Sequence, residues 1–158
     1  YGGAYSFDGI NDYVDAGNSS SLDSSKDISV EAWIYPLSPN IARHKGHAVV
    51  TKYNWPDTSY WLGIDWNVSA NAYLPEVWFD GCGCDDWPGE ECPNWQLIPM
   101  NSWTNLVWVY DNSSQNLRIY QNGKLTVNET TTSLGCGATS LPSYPAVPVR
   151  IGTSINWT

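Results

Sequence analysis

Aromatic and acidic side chains carry most of the chemistry this sequence could do. Ten Trp and ten Tyr are a heavy load for 158 residues. Flat apolar ring faces stack on sugar rings, while polar neighbours fix the sugar hydroxyls. Trp55, Trp61, Trp66, Trp87 and Trp95 fall in or beside loops or on short strands, where a binding platform could form. Trp33, Trp103 and Trp108 sit in longer apolar runs and are expected to fill a core. Exposed Trp and Tyr have a third use, because both are enriched where subunits touch.

Asp8, Asn11, Asp12 and Asp15 crowd one short turn near the start. Hard oxygen donors on a tight loop suit calcium, the one cofactor the sequence points to. The same side chains can instead bond their own turn backbone. Asp80, Asp85, Asp86, Glu90 and Glu91 form a second acidic stretch, with a solvated loop as its plainer reading. His44 and His47 could share a metal, although lone surface histidines are commoner.

Catalysis finds little support. Glu76 and Asp80 are four residues apart, so they share a strand face. No Gly-x-Ser-x-Gly, His-Glu-x-x-His, phosphate loop or dinucleotide fingerprint occurs. No catalytic residue is assigned, and an enzyme is not expected.

Four cysteines, Cys82, Cys84, Cys92 and Cys136, suggest two disulfides. A zinc site would want paired ligands at both ends, and Cys136 stands alone. The spacing favours one short bridge within 82–92 and one long bridge to Cys136, and leaves Cys82 and Cys84 equivalent. Disulfides persist in oxidising compartments, which points to an extracellular or cell-surface location. Asn-x-Ser/Thr acceptors at Asn18, Asn67, Asn112, Asn128 and Asn156 agree with it.

Charge excludes a class of partners. Seven Lys and Arg against sixteen Asp and Glu give a net charge of −9, which repels nucleic acid. Arg43, His44, Lys45 and His47 are the only basic cluster. No apolar run approaches the 18 residues that suggest a membrane-spanning helix, so membrane insertion is not expected. The chain starts without Met or an apolar leader, so it is expected to begin inside a processed polypeptide.

These residues must be positioned by strands. Sustained spacing at i, i+3, i+4 and i+7 is missing, and short runs rich in Val, Ile, Tyr and Trp alternate with Gly, Pro, Asn, Asp and Ser. Over 27–35, Ile28, Val30, Ala32 and Ile34 share one face, while Ser29, Glu31, Trp33 and Tyr35 share the other; Pro36 ends the run. Over 103–111 both faces are apolar, which predicts a central strand covered on both sides. Asn122-Gly123 between Leu117 and Val127 predicts a type I′ hairpin. Further strands are expected at 4–7, 13–16, 48–52, 60–66, 76–79 and 149–151. The segments 82–94 and 130–148 are expected to be irregular.

Several stretches, in order, resemble one family. They are Ala4-Tyr-Ser-Phe-Asp-Gly-Ile-Asn-Asp-Tyr-Val14, Leu22 with Ile28 to Pro36, Trp103 to Asp111, Leu117 to Gly123, and Arg150-Ile-Gly152. Together they are similar to laminin-G-like domains of the concanavalin A-like lectin and glucanase superfamily. The resemblance implies an all-β fold, a two-sheet antiparallel jelly-roll sandwich, over a single domain of residues 1–158. It also implies glycan or protein binding at cell surfaces, with calcium near the first turn. Its glucanase branch carries two Glu flanking an Asp at alternate positions on one strand, and that run is absent. The 82–92 loop departs from the family as an insertion. The family also continues with a further strand after Arg-Ile-Gly, so this domain is expected to lack its final strand.

Two functions follow as expectations. The first is a glycan-binding or adhesion module that takes glycans or surface proteins. The second is a structural subunit that packs with copies of itself into a filament or layer, a neighbour completing the open sheet edge.

Overall fold

The computed structural model describes residues 3–24, 26–37, 46–54, 57–79, 82–84, 96–136 and 140–152. Through them run β1 (Val14–Gly17), a 3-10 turn (Ser20–Leu22), β2 (Ile28–Ile34), β3 (Gly46–Asn54), β4 (Asp57–Asn67), β5 (Ala72–Phe79), β6 (Cys82–Cys84), β7 (Thr104–Asp111), β8 (Asn116–Gln121), β9 (Lys124–Thr130) and β10 (Val149–Ile151). One sheet has six strands in the order β1-β10-β3-β4-β5-β6, and the other has four in the order β2-β7-β8-β9. Every pairing is antiparallel. The expected all-β, two-sheet architecture is what the chain adopts.

Successive side chains on a strand point to opposite faces, and this alternation builds the core. Tyr60, Leu62, Ile64 and Trp66 of β4 point inward, to meet Leu106, Trp108 and Tyr110 of β7 and Leu117 and Ile119 of β8. Burying each such side chain contributes roughly 1.5–3 kcal/mol. The hairpin follows its expected chemistry: Asn122 (φ 50°) and Gly123 (φ 77°) both take the left-handed conformation.

Three expectations need correction. Residues 4–7 form no ladder; no described strand takes up their backbone groups, and Phe7 instead lays its ring over Gly152. Cys82–Cys84 begin the supposed irregular stretch, yet they pair with Phe79, Trp78 and Val77 as an edge strand. β7 is central as expected, but only its Leu106, Trp108 and Tyr110 face is fully buried; Val107 and Val109 are half-buried.

Among the links that fasten the described residues of the 131–148 region to the sandwich, two stand out. Cys82 is bridged to Cys136 with a Cα–Cα distance of 5.4 Å, which resolves the choice that spacing left open. Cys84 is disulfide-bonded as well; Cys92 lies outside the described residues. The second link is a buried lysine. Lys52 is fully enclosed, its Nζ donating to the Val147 carbonyl at 2.6 Å and lying 3.7 Å from Asp23 Oδ1. Asp23 also accepts from the Ser143 hydroxyl and from the Tyr144 N–H. A charge that deep needs partners, and it has both a carbonyl and a carboxylate.

Candidate functional site

The first turn is held by its own side chains. Asp8 Oδ1 accepts from the N–H groups of Ile10 (2.8 Å), Asn11 (3.1 Å) and Asp12 (3.4 Å), while Asp12 Oδ2 accepts from the Asp8 N–H. Those bonds, first from Ile10 and then from Asn11, hold the Asp8 carboxyl below its ordinary range. Asp15 accepts from the Gly17 N–H and lies 4.0 Å from Arg150. Among the described residues no three His, Cys, Asp or Glu side chains gather as a metal site would require. His47 packs edge-on to Tyr73; His44 lies outside the described residues.

The five candidate Trp residues separate. Trp66 points into the core against Tyr73, with ring centroids 5.0 Å apart. Trp61 faces the other way, on the outward side of the six-stranded sheet, and is also buried. Trp55, Trp87 and Trp95 lie outside the described residues. Around Trp61 the sheet is shaped for close approach. A Cβ at Gly46 would collide with the Trp61 ring, and one at Gly63 with the His47 backbone. Asp65 and Glu76 share this face across β4 and β5, both buried and both already engaged by neighbouring groups. Asp80 lies outside the described residues.

Among the described residues, a group of accessible aromatics lies on the four-stranded sheet, apart from the exposed Tyr5 and Tyr13 near the start of the chain. Trp33 is 63% exposed, Trp103 51% and Tyr35 44%, so two of the residues expected in the core stand in solvent. The reason is parity. Ile28, Val30, Ala32 and Ile34 take the inner face of β2, which leaves Trp33 and Tyr35 on the outer one. The register pairs Trp33 with Asn105 and Ile34 with Thr104, so Tyr35 and Trp103 flank the next position. Their rings lie 5.4 Å apart, tilted by 59°. Only Trp108 of the expected core trio is sealed.

Polar groups border this ledge. Asn105 Nδ2 donates to Glu31 Oε1 at 2.9 Å. The Asn105 backbone N–H donates to Asn122 Oδ1 at 2.9 Å, and the Asn122 N–H returns a bond to the Asn105 carbonyl. The Asn105 amide is therefore fixed at the foot of Trp33. Aromatic faces beside a fixed amide and carboxylate are the two ingredients of sugar recognition, stacking and directed hydrogen bonds. The alternation over 27–35 already placed Trp33 and Tyr35 opposite the core residues; that signal outweighs the prior that Trp fills a core.

The described Asn-x-Ser/Thr motifs lie around the periphery. Asn18 follows β1 and Asn128 sits on β9, both exposed. Asn67 accepts from the Ala70 N–H, and Asn112 lies in the β7–β8 turn. Asn156 lies outside the described residues.

Comparison with known proteins places the fold. The binding domain of botulinum neurotoxin serotype G superposes over 96% of this chain and 35% of its own, with a TM-score of 0.61 at 16% identity. A heptameric SAP-like pentraxin from Limulus polyphemus covers 82% of this chain and 54% of its own (TM-score 0.49, 12% identity). The galectin LEC-6 of Caenorhabditis elegans covers 92% and 84% (TM-score 0.44, 11% identity). At 16% identity the likeness to the toxin domain is one of fold alone, and this chain spans about half or less of the pentraxin and toxin chains. No curated protein sequence matches. A sequence profile of the concanavalin A-like lectin/glucanases superfamily matches residues 8–157, and the chain belongs to that superfamily.

Proposed function

We propose that this chain is a non-catalytic carbohydrate-binding module of an extracellular or cell-surface protein, with Trp33, Tyr35 and Trp103 as its sugar platform. The observation that carries this reading is the exposed Tyr35–Trp103 ring pair beside the Glu31–Asn105 hydrogen bond. Exposed aromatics gathered on one sheet face are costly to leave in water unless something covers them. Both halves of the superfamily name concern carbohydrate, and the binding half is favoured here. The glucanase run of alternating carboxylates is missing.

The test is a glycan array followed by calorimetry on the hits. Trp33→Ala, Tyr35→Ala and Trp103→Ala are each expected to weaken binding about tenfold or more, the scale of an interface anchor. Single alanine variants of Trp55, Trp61, Trp87 and Trp95 belong in the same series. Loss confined to those four would move the site off the four-stranded sheet. Each titration is run with calcium and with a chelator, because Asp8, Asn11, Asp12 and Asp15 are the oxygen donors a calcium would take.

A further inference from the structure

A carboxylate stands beside the ring faces of the ledge, and its charge sorts one sugar from another. Glu31 pairs with Val107 and Trp33 with Asn105, so Glu31 and Trp33 share the outer face of β2 two residues apart. That is about 6.6 Å along the strand. Glu31 is exposed, whereas Asn105 is only 8% exposed. The Asn105 amide donates to Glu31 Oε1 at 2.9 Å, and Asn122 clamps the Asn105 backbone in turn. One carboxylate oxygen is thus anchored by the sheet. Oε2 has no hydrogen bond or ion pair among the described residues.

No cation of these four strands neutralises that carboxylate. They carry two, Arg118 and Lys124. Arg118 pairs with Val109 and Asn128, beyond the row of Glu31, and its guanidinium lies 3.5 Å from Asp111. Lys124 pairs with Gln121, which is buried on the core side with Leu117 and Ile119. An ionised carboxylate accepts hydrogen bonds and has none to donate. Sugar hydroxyls can donate to it, and bonds to an ionised acceptor are roughly twice as strong as neutral ones. A sugar carboxylate or sulfate ester has no proton to give at neutral pH, and it brings like charge. The net charge of −9 on the whole chain opposes it further.

We propose that the ledge selects neutral pyranose residues and rejects uronic, sialic and sulfated ones, with Glu31 as the specificity-determining residue. The inference rests on the sugar-platform reading above. A pyranose stacked on Trp33 turns one edge toward Glu31. Two adjacent hydroxyls on that edge donate to the carboxylate, one to Oε2 and one to the remaining lone pair of Oε1. Asn105 holds the carboxylate in place before the sugar arrives, so little side-chain freedom is lost on binding. An acid in place of either hydroxyl sets acceptor against acceptor and charge against charge.

Matched sugars test it by calorimetry on the intact chain, with calcium and with a chelator. The probes are glucose and glucuronic acid oligomers, galactose-terminated glycans and their sialylated forms, and plain and sulfated galactose oligomers. The neutral member of each pair that binds is expected to bind about tenfold tighter or more, because like charges brought together are costly. Glu31→Gln keeps an oxygen for Asn105 and turns the free one into an amide donor. It is expected to weaken the neutral sugar about tenfold, the scale of a hydrogen bond to a charged group, and to bring the acidic sugar level with it. Glu31 is exposed, so the thermal melt of this variant should match the parent. Added salt is expected to narrow the gap in the parent. A parent that takes the acidic member as well as the neutral one, with or without calcium, overturns the proposal. So does a preference that Glu31→Gln leaves unchanged. Trp33→Ala and Trp103→Ala separate this inference from the platform itself. Neutral binding that survives both places the sugar elsewhere and sinks the platform. Binding lost in both but indifferent to Glu31→Gln keeps the platform and removes the role of Glu31. A chain that binds no member of any pair overturns both.

Discussion

Trp103 stacks 5.4 Å from Tyr35 in solvent, while Trp108, five residues further along, is sealed at 2% exposure. An odd separation along extended chain puts two side chains on opposite faces. The two indoles therefore sit on opposite sides of the four-stranded sheet, with opposite energetic roles.

Their substitution should show that difference. Trp103→Ala is expected to shift stability within about 0.5 kcal/mol, as surface changes do. Trp108→Ala should cost about 3–5 kcal/mol through the cavity it leaves. Urea titration of both variants, beside the sugar titration of Trp103→Ala, checks the pair.

The bridge between Cys82 and Cys136 closes 54 residues of chain. Loop-closure entropy for that length amounts to about 4 kcal/mol. Replacing both cysteines by Ser is expected to lower the melting midpoint by roughly 10 °C, given the usual few degrees per kcal/mol at this size. Differential scanning calorimetry reads the shift.

Lys52→Met should leave Asp23 without its buried cation. Breaking a buried pair from one side typically costs about 3–5 kcal/mol. The Ser143 and Tyr144 bonds to Asp23 keep part of its satisfaction, so the loss belongs at the low end. Adding Asp23→Asn to Lys52→Met is expected to recover part of it, and a double-mutant cycle in urea measures the coupling.

Acid should loosen the β7–β8 turn. Hydrogen bonds from Ser113 first, then from Ser114, hold the exposed Asp111 carboxyl down at about 2. A lowered folded-state pKa contributes stability that is present above the ordinary value of 3.8 and is lost as pH falls toward 2. Amide shifts of Ser113 and Ser114 should change over that window, and Asp111→Asn should abolish the change. Alkali acts at the other end. Burial first, then the charges of Asp23 and Asp65, push Tyr60 and Tyr73 each up to about 12. A raised folded-state pKa gives stability that is complete below 10 and falls as pH rises toward 12. Alkaline unfolding followed by tyrosinate absorbance should begin above pH 10 and move with Asp23→Asn.

The sequence by itself determined the local geometry. Alternation separated Ile28, Val30, Ala32 and Ile34 from Trp33 and Tyr35, and Asn122-Gly123 set the hairpin, because strand parity and positive φ depend on neighbouring residues alone. It left open whatever depends on residues far apart in the chain. Which cysteine reaches Cys136, whether Ala4–Phe7 finds a strand to pair with, and which face of a strand meets solvent are decided by the second layer. That is why Trp33 and Trp103, apolar and set in apolar runs, were expected inside. Only the packing of β7 against β4 shows that the core is filled by Trp108 and Trp66, with no place left on that side for the other two.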